Sequence, residues 1–465
     1  MPTVPNRHGF PYAPPFSGVV TDAATGGGAD AGEAGVEAGN AEDPPRSASA
    51  SRTREHGTAV STAPGTAPAG RWRALALVGI AELLAMSLWF SASAVAPELT
   101  ATWGLTATEA GFLTSAVQLG FVAGALGSAA LTLSDTVAPR HLFAASAVAG
   151  AAATALLGAL VDSLWPAVAL RFLTGAALAG VYPPGMKVVA GWFREARGLA
   201  IGTVVGALTV GSALPHLLRV VGGVGRPRLV LFGAAGLAVV AAGLVLLVRP
   251  GPYQAPAAPF DPGAVGRILR DRPTSLANLG YFGHMWELYA VWTWLPAYLL
   301  ATRAVGGADG LASLLTFGTV AVGAVGAVAA GLGADRAGRT LVTRASLAVS
   351  GTASLLAAAV FDLPLVVLVP FLLVWGAVVV ADSAQFSAAV TELADGEYVG
   401  TALTLQTAVG FLLTTVSIQL TPLVADAVGW RWAFTPLALG PLVGYAAMAR
   451  LRDHPAAARL AGGRG

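Results

Sequence analysis

The chain has 465 residues, 55% hydrophobic and only 11% charged, whereas a water-facing shell usually takes about 25% charged residues. A single soluble globule is thereby excluded, and a polytopic membrane protein is the default. There is no cysteine, so disulfides, thiolate metal sites and cysteine nucleophiles are excluded, and the formal charge of +2 comes from 26 Arg, one Lys and 25 acidic residues spread along the chain, which argues against a nucleic-acid partner.

Residues 1–70 are rich in Pro, Gly, Ala, Ser and Thr and carry seven acidic residues against four Arg. Such a segment cannot bury enough apolar surface to offset the entropy of ordering it, so a disordered cytoplasmic tail is expected, without the layout of a signal peptide. From Arg71 onward, apolar stretches long enough to cross a hydrocarbon core of ~30 Å alternate with short polar breaks. Twelve are predicted, at 71–97, 106–133, 141–160, 166–190, 198–220, 228–248, 273–300, 311–332, 340–361, 364–388, 399–421 and 432–450. They must be helices, because lipid offers no partner to an open strand. The fold class is therefore all-α: twelve transmembrane helices in two six-helix, pseudo-symmetric bundles.

The Pro-rich, basic stretch 249–272 divides the spans six and six. It is read as a cytoplasmic linker between an N-terminal bundle (71–248) and a C-terminal bundle (273–452), followed by a cytoplasmic tail (453–465). With the N-terminus inside, the inner ends and loops hold seventeen Arg or Lys and the outer ones five: Arg219, Arg226, Arg228, Arg303 and Arg431. That bias places both termini in the cytoplasm and the chain in the cytoplasmic membrane. The Arg219–Arg228 group is an exception that the bias does not explain.

The halves repeat. Glu82-Leu83-x-Ala85-x-x-x-Trp89 in span 1 matches Glu287-Leu288-x-Ala290-x-x-x-Trp294 in span 7, and Gly175-Ala176 in span 4 matches Gly376-Ala377 in span 10. Parallel six-helix repeats are a transporter architecture.

Charges at bilayer depth cost at least ~2.5–3.5 kcal/mol each on insertion scales, which singles out Glu82, Arg171, Glu287 and Asp382, with His284 one turn before Glu287. Glu82 and Glu287 occupy equivalent places and are candidate proton carriers facing one central cavity. The alternative is a neutral, hydrogen-bonded packing role. His284 and Glu287 share a helix face at i, i+3, as a proton relay or as a structural hydrogen bond. Tyr281, Trp286 and the neighbouring Tyr289, Trp292 and Trp294 either line a solute path or form an interfacial belt, the latter suiting Trp292, Trp294 and Tyr298. Asp382-Ser383-Ala384-Gln385 reads as a cavity-lining turn. Gln118, Gln406 and Gln419 offer hydrogen bonds to solute or to neighbouring helices. His216, after Pro215, is placed at the solvated outer interface.

Gly331-Leu332-Gly333-Ala334-Asp335-Arg336-Ala337-Gly338-Arg339, between spans 8 and 9, resembles the signature loop G-x-x-x-D-R-x-G-R of the major facilitator superfamily. The twin expected between spans 2 and 3 is degenerate, echoed by Gly127, Asp135 and Arg140. Arg171-Phe172-Leu173-Thr174-Gly175 is similar to the family's R-x-x-x-G motif, and Gly206 to Pro215 weakly to its Gly/Pro-rich motif. The text around Tyr182-Pro183-Pro184-Gly185 and Asp382-Ser383-Ala384-Gln385-Phe386 most resembles the cyanate and nitrate/nitrite porter branch, without its Gly/Asn-rich nitrate signature.

The resemblance implies a secondary transporter working by alternating access, with Gly331, Asp335, Arg336, Gly338 and Arg339 as a gating loop. Proton coupling would run through Glu82, Glu287, His284 and Asp382. The solute, a small organic or inorganic anion, would meet Arg171, Tyr182, Gln118, Tyr281, Trp286, Gln385 and Gln406. No nucleotide loop, cofactor or metal is expected. The expected partners are lipid, the solute and a proton gradient, and the chain would act as a monomer. The competing readings are a proton-coupled efflux antiporter and, from another class, a membrane-embedded receptor or enzyme.

Overall fold

The computed structural model describes residues 68–131, 133–194, 196–253 and 261–465. The predicted disordered tail up to residue 67 lies outside the described residues. The first predicted span is a broken helix: α1 (Arg71–Met86), α2 (Ser91–Ala94) and α3 (Ala96–Trp103). There follow α4 (Ala107–Ala130), a short α5 (Leu133–Thr136), α6 (Pro139–Leu160), α7 (Leu164–Leu178), α8 (Tyr182–Ala190), α9 (Arg197–Gly222) and α10 (Pro227–Leu246). The second half holds α11 (Val265–Arg270), α12 (Arg272–Ala301), α13 (Asp309–Ala321), α14 (Gly323–Ala337), α15 (Arg339–Val360), α16 (Leu365–Ala381), α17 (Ser383–Leu393), α18 (Val399–Val428) and α19 (Leu439–Arg452). Among the described residues, ten helices are long and apolar enough to cross a membrane. Broken α1–α3 and the 30-residue α12 complete the order of twelve predicted spans.

Local chemistry sets the helix ends. Thr106 and Glu109 form a reciprocal capping box at the start of α4 (Thr106 N to Glu109 Oε2 2.8 Å, Glu109 N to Thr106 Oγ1 3.2 Å), which satisfies donors that have no partner within the helix. Asp271 caps α12 through Thr274 N at 3.1 Å. The predicted linker is not featureless: Asp261 N bonds Thr401 Oγ1 (2.9 Å), and α11 follows. The C-terminal tail is also structured. Arg464 donates to Asp335 O (2.6 Å), Thr340 Oγ1 donates to Gly465 O (3.0 Å), and Ala461 N donates to Glu392 Oε2 (3.0 Å).

Small residues bring the helices together, and they do so in the same way in both halves. A Cβ on Gly175 of α7 would overlap Val117 O of α4, and one on Gly376 of α16 would overlap Thr319 O of α13. Reciprocally, Gly124 faces Ala176 O and Gly326 faces Ala377 O. The repeat seen as Gly-Ala pairs is thus a repeated backbone-to-backbone contact, of the kind that replaces hydrophobic drive between helices in lipid. The bundles meet where α4 runs along α18 and where α9 runs along α13 and α14.

Candidate functional site

Between the bundles lies a cavity of about 1050 Å³. Its walls come from α8, α9, α12, α17 and α18, and it opens at the end where Lys187, Arg194, Asp335, Arg339 and Glu392 lie. The opposite end is shut. Trp89, Phe121, Tyr289, Trp292 and Phe411 pack there across both bundles, with ring centroids 4.6–5.7 Å apart. Beyond this plug, Arg219 of α9, 2% exposed, pairs with Glu98 of α3 and with Asp309 of α13, both at 2.8 Å, and donates to Ser313 Oγ at 2.7 Å. Gln419 of α18 is hydrogen-bonded with Ser115 of α4 at 3.1 Å. The outer arginine that the charge bias did not explain is a closure between bundles. Its partners are distant in sequence, and the only forewarning was an arginine at the wrong end of a helix. His216, expected in the solvated interface, is 2% exposed and lies one turn inside Arg219.

The charged residues singled out in the sequence lie behind the cavity wall. Arg171 does not line the cavity. Span 1 unwinds at Ser87–Phe90, where bonds shorten to the i→i−3 pattern, and a carbonyl freed at bilayer depth needs a donor. Arg171 supplies it: Nη1 to Leu88 O (3.0 Å) and Ser91 Oγ (3.1 Å), and Nη2 to Trp89 O. The expected solute-binding cation is a backbone clamp.

Glu82 is fully buried in the N-terminal bundle, and neither carboxylate oxygen has a hydrogen-bond partner. A Cβ on Gly185 would sit 2.6 Å from Glu82 Oε2, so the glycine makes room for the acid. Tyr182, three residues before Gly185, lines the cavity. Glu287 is buried in the other bundle, where Oε1 accepts from Ser354 Oγ (2.7 Å) and Trp375 Nε1 (3.1 Å). The two acids occupy matched places but do not face one another across the cavity. One is paired and the other is bare. His284 does not bond Glu287. Its Nδ1 lies 2.9 Å from Asp382 Oδ1, both side chains 2% exposed. Asp382 stands at the break between α16 and α17, and Ser383, Ala384 and Gln385 just beyond it line the cavity, as the polar turn implied.

Of the remaining candidates, Tyr281 and Gln385 line the cavity. Gln118 is buried and unpartnered. Gln406 ties α18 to α12 through Asn278 Oδ1 (3.0 Å) and accepts from Ser387 Oγ (3.2 Å). Trp286 points to the α19 side and donates to Pro436 O (3.3 Å). The belt assigned to Trp292, Trp294 and Tyr298 is buried instead. Trp294 donates to Ile418 O (2.7 Å) and Tyr298 to Ala357 O (2.6 Å).

The 331–339 loop sits at the mouth. Gly338, at φ +95°, turns the chain into α15 where a side chain would be strained and would overlap the carbonyls of Arg464 and Gly465. Asp335 reaches the start of α9: a Cβ on Gly198 would be 3.0 Å from its Oδ2, so the carboxylate complements the positive end of that helix. Arg339 makes a two-pronged pair with Glu392 (2.8 and 2.6 Å) and donates to Gln385 Oε1 (2.7 Å). Gly331 packs near Gly198 O, and Arg336 is exposed.

Two helical bundles, a cavity open at one end and a charged closure at the other define a membrane carrier. Residues 78–417 match the Major Facilitator Superfamily, and the chain belongs to that family, which makes it a transporter rather than an enzyme. Among solved structures, the fold is similar to a point mutant of the nucleoside transporter NupG (TM-score 0.64, 13% identity, covering 81% of this chain and 99% of that one). It is also similar to a bacterial homologue of the human lysosomal transporter Spinster, in an inward-facing and occupied conformation (TM-score 0.63, 14% identity, covering 84% and 98%). No curated protein sequence matches the chain.

Proposed function

We propose that the chain is a proton-coupled secondary transporter in which Glu82 carries the proton. The observation that supports this is the bare carboxyl group: Glu82 is fully buried, with no hydrogen-bond donor on either oxygen. An unpaired buried carboxylate is far more costly than the neutral acid, so in this state Glu82 holds a proton. A rearrangement that opens the opposite end and wets the first helix lets the proton go. Alternating access then links that release to movement of the solute. Glu287, with two donors fixed on it, serves packing.

The Arg and Lys bias supports a cytoplasmic membrane location with both termini inside, so the cavity mouth faces the cytoplasm. The partners are lipid, the solute and a proton gradient, and the single chain contains the whole cavity. The segments at Tyr182–Gly185 and Asp382–Phe386, which carry the resemblance to cyanate and nitrate/nitrite porters, frame this cavity. The anion that branch implies would have to do without Arg171, which the backbone occupies. The cavity therefore supports the wider class, a small-solute carrier of either direction.

The test is flux in proteoliposomes with and without an imposed pH gradient. The wild-type chain accumulates solute against its gradient when the pH gradient is present. Glu82→Gln keeps solute exchange but loses accumulation. Undiminished accumulation by Glu82→Gln refutes the assignment.

A further inference from the structure

We propose that the cavity takes an uncharged solute that carries an aromatic ring and hydrogen-bond acceptors. This rests on the transporter reading above and adds the chemistry of its cargo.

The first argument is where the charges are. Every ionisable Lys, Arg, Asp or Glu lining the cavity is at its open end, and two of these, Arg339 and Glu392, are bound to each other. Arg194 is stacked over Tyr253 at 4.4 Å. Further in, the lining is Tyr182, Tyr281, Met285, Leu288, Tyr289 and Phe411, without a charge. The buried ions that could have served an anion or a cation do not line the cavity: Arg171 is on carbonyls, Glu287 on Ser354 and Trp375, Asp382 beside His284, and Glu82 is enclosed in its bundle. An ion taken to the inner end would lose its water without gaining a counter-ion, a large penalty.

The second argument is size and shape. A volume of about 1050 Å³ is at the upper end for drug-sized ligands, roughly 300–1,000 Å³. A triatomic anion would rattle in it. The inner wall is a set of flat faces, with Trp89 and Tyr289 5.7 Å apart and Trp89 and Phe411 5.5 Å apart, which suits edge or offset stacking of a ring.

The third argument is the polarity of the lining groups. Tyr182, Tyr281 and Tyr289 bring three phenol groups to this part of the lining. The indole N–H groups of Trp89 and Trp292 are unpartnered too, but they are buried behind the ring faces rather than open to the cavity. Phenol donates readily, so the complement is an acceptor such as an amide or ketone oxygen or a ring nitrogen.

The experiment compares three probes of one shape and different charge: 2-naphthamide, 2-naphthoate and 2-naphthamidinium. Thermal unfolding of the purified full-length protein in detergent is followed with each, because a ligand of the folded state raises apparent stability. The amide raises the unfolding temperature and binds at least roughly tenfold more tightly than either ion, and the double variant Tyr281→Phe/Tyr289→Phe, which keeps the rings, weakens it. Tighter binding of naphthoate or naphthamidinium, or no effect of the amide, overturns the proposal. The measurement involves no gradient, so amide binding without pH-driven flux refutes proton coupling and leaves the cargo assignment standing.

Discussion

Arg219 and Asp309 lie on opposite bundles, 2.8 Å apart, at the closed end of the cavity. Glu98, on the same bundle as Arg219, is paired with the same guanidinium at 2.8 Å. When the bundles part, the arginine keeps Glu98 and surrenders Ser313 and Asp309 of α13, the latter already 38% exposed and readily solvated. The closure is releasable because its buried cation is never left without a partner.

Asp309→Asn should favour opening of this end. The partly exposed pair is worth about 1 kcal/mol, a shift of roughly fivefold in the open population. The chain has no cysteine, so Ser93→Cys, at a buried position of α2 just before the Glu98 helix α3, gives a clean reporter. A membrane-impermeant maleimide should label it several times faster in the Asp309→Asn background. Equal rates would mean that the pair does not hold the closure.

Arg171→Lys keeps the charge but cannot reach Leu88 O, Ser91 Oγ and Trp89 O together. Leu88 O and Ser91 Oγ remain bonded to each other (3.0 Å), but Trp89 O relies on the guanidinium, and a buried acceptor left without its donor costs about 1–3 kcal/mol. The variant should unfold at a markedly lower temperature in detergent. A variant of unchanged stability with weakened solute binding would instead put Arg171 in contact with cargo.

Glu287→Gln retains an oxygen that accepts from Ser354 and Trp375, so its stability should fall by less than about 1 kcal/mol. Glu287→Ala strands both donors and opens a hole, at a cost of about 2–5 kcal/mol. Thermal unfolding of the two variants side by side checks the packing role.

Gly175→Ala and Gly376→Ala test the repeat. Each new methyl group would overlap a carbonyl oxygen of the neighbouring helix, and overpacking of this kind costs about 1–3 kcal/mol. The two variants should lose similar amounts of stability by thermal unfolding. A large loss in one half only would show that the halves are packed differently.

The spans and the matched Glu82 and Glu287 were legible because hydropathy and repetition are properties of the sequence itself. The roles of the charges were not. Arg171 serves carbonyls freed by a break at Ser87-Leu88-Trp89-Phe90, a run with no Pro or Gly to announce it. Arg219 joins Glu98, 121 residues away, to Asp309, 90 residues away, and only the approach of two bundles brings them together. His284 lies against Asp382 at the break between α16 and α17, a neighbour that the i, i+3 spacing to Glu287 does not reveal. The aromatic plug at Trp89, Phe121 and Phe411 comes from three separate spans, Trp89 from the break in the first, whose ring faces no single periodicity reveals.

The first helix of each half shares a motif, yet α12 runs unbroken for 30 residues while its counterpart stops at Met86 and resumes at Ser91. One half therefore has a joint where the other has a strut. The joint stands beside the bare acid at 82 and carries the indole at 89, so the break, the unpartnered carboxyl group and the inner end of the cavity share a single short stretch of chain.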